Sequence, residues 1–166
     1  MKGQAWVMDF TVGIVALTLI LVLHMIVWNT LAQRWNSAGE ATAMGSSAYF
    51  ASESLLATPG EPESWEMLPH IDGNVSAIGL VNGRNGLDRM KLDKMMAENA
   101  TAYQAIKARL GMARYEFGMR ITDLAGNEMY YEFGKFSSGL NNSLTFDRFG
   151  ILDEEPVIVH MEVWGP

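Results

Sequence analysis

The chain has no cysteine among its 166 residues, which excludes disulfides, iron–sulfur clusters and thiolate zinc sites. An exposed domain without such staples must draw its stability from its own core or from neighbouring subunits. Basic residues are also few: 12 Lys and Arg stand against 19 Asp and Glu, for a net charge of −7. Lys2 and Asp9 are the only such charges before residue 29, so the remainder carries the whole −7. Binding nucleic acid requires Lys and Arg to neutralise phosphates, and this chain is a poor candidate for it. Histidine occurs at 24, 70 and 160 only, with no HxxxH spacing of the kind that holds a metal.

The familiar patterns of chemistry are missing as well. Gly79 to Gly86 contains glycines but neither GxGxxG nor GxxxxGK[ST], and no GxSxG elbow occurs anywhere. Asp123 to Glu128 and Asp153-Glu154-Glu155 lack the alternating oxygen ligands of a calcium loop and read as solvated turns. His70 with Asp72 is the one close histidine–carboxylate pair, and it reads as a surface pair. Met90, Met95 and Met96 fall at helical spacing and read as core filler. These absences predict no catalytic residues, no metal and no cofactor, and a protein that is not an enzyme.

What the sequence does have is one long apolar run, Phe10 to Trp28. Nineteen residues at a helical rise span about 28 Å, close to the hydrocarbon thickness of a bilayer. Thr11 and Thr18 can return their hydroxyls to the helix backbone, and His24 is the only ionisable group inside. Trp6, Trp28 and Trp35 bracket the run, as aromatic rings at two interfaces would. A buried core helix and a removable secretory signal are the competing readings. The run is long and uniformly apolar for the first, and Asn29-Thr30-Leu31-Ala32-Gln33-Arg34 offers the second no strong cleavage site. Single charges, Lys2 before the run and Arg34 after it, leave orientation undecided.

The residues before the run carry a resemblance. Lys2-Gly3-Gln4, followed by Asp9 at the start of the run, is similar to the N-terminus of archaeal type IV pilin-like proteins, which bear a class III signal peptide. The resemblance implies that a prepilin peptidase cuts between Gly3 and Gln4. It implies further that the apolar helix stays on the mature chain, first in the membrane and then in the core of a cell-surface filament. In the mature chain Met8 would be fifth and Asp9 sixth, one place later than the acidic residue of most family members. Asp9 has two readings: pairing with a neighbour's terminal amine, or a carboxylate favoured by the helix N-terminus. The organisation expected is a leader at 1–3, a transmembrane or filament-core helix at 4–29, and an extracytoplasmic α+β domain at 30–166.

Within that domain the helix is expected to continue to about residue 57. No proline occurs from Leu31 to Leu56, and Thr58-Pro59-Gly60 stops the helix. Positions 31, 35, 38, 42, 45, 49, 52 and 56 form a heptad-like stripe rich in small residues, widened by Ala41, Ala48 and Leu55. Such a stripe lets another backbone approach closely, either the protein's own sheet or a neighbouring subunit. Leu87 to Leu110 reads as helix, with a break in which Asn99 ends the first part. Segments 115–121, 128–133, 144–151 and 157–164 read as strands of an antiparallel sheet, with a short strand at 76–80. The stretch Thr58-Pro59-Gly60-Glu61-Pro62-Glu63-Ser64-Trp65-Glu66 and the junction from Arg109 to Phe117 also resemble the pilin-like proteins. The fold class expected is α+β, pilin-like: a long N-terminal helix, half transmembrane, on a small antiparallel sheet with one or two extra helices.

Three sequons, at Asn74, Asn99 and Asn141, lie after the run and fit an extracellular glycosylated surface. The expected protein is a single-pass membrane protein with its C-terminal domain outside the cell. Its expected partners are the membrane, the prepilin peptidase and copies of itself or other pilin-like subunits. A non-polymerising accessory or minor-pilin subunit is the alternative from the same residues. A membrane-tethered enzyme would need a constellation that the sequence does not display.

Overall fold

The computed structural model describes residues 2–71, 73–82, 86–139 and 143–165, and their side chains apart from those of 2–9, 36 and 37. The chain divides into two units, 1–42 and 43–166. One helix, α1 (Lys2–Ala57, 56 residues), begins in the first and ends in the second. No proline interrupts it, so its backbone ladder is never forced to break.

The second unit is α+β. After α1 come β1 (Gly60–Glu61), a 3₁₀ turn at Trp65–Met67, β2 (Ala77–Ile78), α2 (Arg89–Ala97) and α3 (Asn99–Arg109). Four longer strands follow: β3 (Glu116–Asp123), β4 (Met129–Gly134), β5 (Ser143–Leu152) and β6 (Glu155–Trp164). Strands β1 and β2 pair with each other, and the larger sheet has the order β4-β3-β6-β5, antiparallel throughout. The strands match the sequence reading to within two residues at most ends, because alternation and short turns set them locally. The β5–β6 turn is the acidic one, and Asp153 and Glu154 both have positive φ, 52° and 72°, as a two-residue hairpin requires.

Register sorts the side chains. Phe117, Met119 and Ile121 lie opposite Val163, Met161 and Val159, and all six are buried. Against this face pack Met44, Ala48, Ala51 and Leu55 of α1, with Leu92, Met95 and Ile106 of α2 and α3. The buried residues of α1 are therefore Met44, Ala48, Ala51, Ser52 and Leu55: the expected series supplies Ser52 and its widening supplies Ala48 and Leu55, whereas positions 41, 42 and 49 stay exposed. Small Ala48 and Ala51 lie in the middle of this buried face, whereas Tyr49 stays 55% exposed.

The end of α1 leaves carbonyls without helical partners, and the loop after it supplies donors. Leu80 N–H reaches Leu55 O (2.8 Å) and Val81 N–H reaches Thr58 O (3.3 Å). Buried Lys91 donates to Pro59 O (2.6 Å) and Val81 O (3.2 Å). Trp65 plugs the same place, fully buried, with its indole N–H on Gly79 O at 2.9 Å. A Cβ on Gly79 would run into Thr58 O and Gly60 N, so only glycine permits this crossing.

Asp88 caps α2 by accepting from Met90 N–H at 2.8 Å. The break between α2 and α3 falls at Glu98, one residue before the expected Asn99. Glu98 N–H still closes onto Lys94 O (3.1 Å), while its carboxylate accepts from Thr101 (2.8 Å) and Lys94 (3.2 Å). Asn99 starts the second helix instead of ending the first.

Candidate functional site: the exposed apolar helix

From Phe10 to Trp28, each large apolar side chain is between 47% and 75% exposed. The second unit, in contrast, has one buried apolar cluster, although Phe50, Met67 and Phe149 among others stay outside it. A helix apolar on every side has no face that prefers water. Each exposed Leu, Ile or Val forgoes about 1.5–3 kcal/mol that burial would provide. As expected for Thr18, its hydroxyl returns to the helix backbone, donating to Ile14 O at 2.8 Å, and Thr30, just past the run, does the same to Ile26 O at 2.9 Å. Satisfying hydroxyls and backbone within the helix is what a hydrocarbon surrounding demands. Among the described residues this is one helix long and apolar enough to cross a membrane, and none of its most apolar window is buried.

The residues singled out before the run lie in α1 by backbone. The side chains of Lys2, Gln4 and Asp9, and the surroundings of Gly3, fall outside the described residues, as do Asp72 and Asn141. Asn74 stands on an exposed turn ahead of β2, next to buried Val75. Asn99 is half-buried, and its Oδ1 accepts from Gly134 N–H at 3.2 Å. The hydroxyl of its sequon partner Thr101 is held by Glu98. Of these two sequons, Asn74 is the one placed on an open turn.

Sequence reasoning missed two polar clusters. His160 sits on the solvent face of the large sheet, with Nδ1 at 2.6 Å from Asp147 and Nε2 at 3.1 Å from the Thr122 hydroxyl. Asp147 and His160 are direct cross-strand partners, so strand register was the signal that could have found them. The second cluster is Glu116, which accepts from Lys107 (2.8 Å) and the Tyr103 hydroxyl (2.8 Å), with Lys135 at 3.5 Å. Burial pushes the Glu116 carboxyl up, but the Lys107 and Tyr103 hydrogen bonds and the two lysine charges outweigh it and hold it below the ordinary value. Burial pushes the Tyr103 phenol up. His70 lies 3.5 Å from Glu98 with its ring mostly exposed. Among the described residues no group of three His, Cys, Asp or Glu side chains converges as metal ligands would. No known protein family, curated protein or solved structure matches the chain.

Proposed function

We propose that the chain is a structural, pilin-like subunit, held in a membrane by α1 and assembling into a cell-surface filament through packing of that helix. The observation that carries the reading is the all-round exposure of residues 10–28 beside a unit that completes its own core. Such a helix has two dry destinations, lipid and a bundle of identical helices, and the hydrophobic effect drives it into either. The Lys2-Gly3-Gln4 sequence supplies the route between them. A prepilin peptidase would release Gln4 as the new N-terminus, and the unit from residue 43 onward would face the outside. In this reading the packing of α1 requires no catalysis, and Asn74 is the more exposed of the two described sequon asparagines.

N-terminal sequencing of the protein from native membranes or filaments tests the proposal. The mature chain is expected to begin at Gln4. Gly3→Leu is expected to leave residues 1–3 attached and to abolish assembly while the chain still reaches the membrane. A mature protein that retains Met1-Lys2-Gly3 removes the proposal's main support.

A further inference from the structure

We propose that Thr122, His160 and Asp147 form an acyl-transfer site on the solvent face of the large sheet, acting on small uncharged carboxylic esters. No sequence motif joins the three residues; strand register assembles them. His160 on β6 stands directly opposite Arg120 on β3 and Asp147 on β5. Thr122 is two residues from Arg120, so its side chain emerges on the same face. Hydrogen bonding fixes the proton positions. The ionised Asp147 carboxylate only accepts, so His160 Nδ1, 2.6 Å away, carries a proton. In the neutral ring Nε2 then keeps a lone pair and accepts from the Thr122 hydroxyl at 3.1 Å. A hydroxyl aimed at a base whose far side is held by a carboxylate is an activated nucleophile. Thr122 is the nucleophile, His160 the base, and Asp147 a positioning residue.

The surroundings supply a place for the substrate. Thr122 and His160 line an open cleft of about 590 Å³ together with Arg120, Met129 and Phe136, a size typical of small-molecule sites. Strand β4 carries an extra residue at this point: Ile121 pairs with Tyr131 and Thr122 with Met129, leaving Tyr130 between them. That bulge sets Met129 beside Thr122 as an apolar wall, and bulges re-aim side chains in this way next to active sites. Arg120 is the cation of the cleft. Its Nε donates to Glu132 at 2.7 Å, and its guanidinium carbon lies 3.9 Å from the centre of the Phe136 ring. Phe136 is seated in turn on Gly118, where a Cβ would strike the ring. The two Nη groups of Arg120 bond no described residue and are donors for the oxyanion that forms on the substrate. Glu132 and Glu162 in the same cleft disfavour an anionic substrate, and Arg120 disfavours a cation beside the reacting carbonyl.

The steps balance with water alone. Thr122 Oγ1 adds to the carbonyl carbon, and its proton passes to His160 Nε2. The C–O bond to the leaving alcohol breaks, and the alcohol takes that proton. Water then adds to the acyl carbon and gives a proton to Nε2. The bond from carbon to Thr122 Oγ1 breaks, the threonine recovers the proton, and the carboxylic acid leaves. Packing of α1 uses none of these residues, so failure here leaves the filament reading standing.

The test is covalent labelling of the full chain in detergent micelles with an alkyl fluorophosphonate, which phosphonylates an activated hydroxyl and releases fluoride. Tryptic cleavage after Arg120 and Lys135 isolates residues 121–135, in which Thr122 is the only serine or threonine. Fragment masses separate it from Tyr130 and Tyr131, and the label is expected on Thr122. Thr122→Ser, which keeps the hydroxyl, should label, and Thr122→Val, of the same shape, should not. His160→Gln removes the base and should slow labelling about 100-fold. Asp147→Asn frees the ring to take the other tautomer and should slow labelling at least about tenfold, and Asp147→Glu should recover most of the rate. Thermal melts show which variants are folded. If His160→Gln does not fold, the two Asp147 variants decide, because a merely structural carboxylate would not move the rate at Thr122. A folded wild-type chain unlabelled at Thr122, an unchanged rate in folded His160→Gln, or equal rates in Asp147→Asn and Asp147→Glu overturns the proposal.

Discussion

At the residue scale, single atoms decide the junction after α1. Gly79 has backbone on the side where a Cβ would project, and Trp65 is anchored to its carbonyl. Gly79→Ala must push Thr58 or Gly60 aside, and overpacking against backbone costs roughly 3 kcal/mol. Chemical denaturation of the full chain in detergent, followed by tryptophan fluorescence, should show that loss. A change within about 0.5 kcal/mol, the size expected of a neutral surface site, would contradict the close approach.

The carboxylates Glu116 and Glu98 set the acid behaviour. Both are held below the ordinary carboxylate value of 4.5, Glu98 chiefly by the Thr101 hydroxyl and then by Lys94, against the opposing effect of its burial. A depressed folded value stabilises the protein above the ordinary value, and that stability is lost as pH falls through the folded one. Stability should hold from neutrality down to the ordinary carboxylate value and drop below it. Glu116→Gln should flatten the drop measured by thermal melts across pH. None of these partners was legible in the sequence: Lys107, Tyr103 and Glu116 are separated by helix and turn, and only the fold unites them.

At the element scale, the long helix, its stop at Thr58-Pro59-Gly60 and the four strands were legible. Each follows from a local rule: absence of proline, a breaker cluster, alternation every second residue. The buried face of α1 was legible in part: Ser52 of the expected stripe and Ala48 and Leu55 of its widening are buried, whereas Met44 and Ala51 were not in it and position 49 is exposed. Ala48 is fully buried, so Ala48→Leu is expected to cost about 1–3 kcal/mol. Phe50→Ala, at a 68% exposed position, should change stability by no more than about 0.5 kcal/mol. Denaturation midpoints of the two variants make the comparison, and the reverse ranking would contradict the burial of Ala48. The α2–α3 break was placed one residue late for a similar reason. Asparagine commonly terminates helices, but here Glu98 joins the two through a side chain that reaches both.

At the scale of the whole molecule, two units have opposite relations to water. Residues 43–166 bury one continuous apolar cluster and keep most of their charged side chains outside it, with Lys91, Glu98 and Lys107 the buried exceptions among the described residues. The run from Phe10 to Trp28 buries nothing and has no charged side chain to hold it in water. That contrast was legible from composition alone, since it needs no tertiary contact to appear. The cluster of Thr122, His160 and Asp147 was not, because it exists only once strand order and register are known. The proposed pilin-like role rests on the contrast and on three residues ahead of the run.

The measurement that bears most directly on that contrast is an alkaline carbonate wash of membranes from cells making the full chain, followed by detergent extraction. The chain is expected to stay with the bilayer through the wash and to come into solution only with detergent. A full-length chain with residues 10–28 intact, recovered as a monodisperse monomer in detergent-free buffer, would contradict the account.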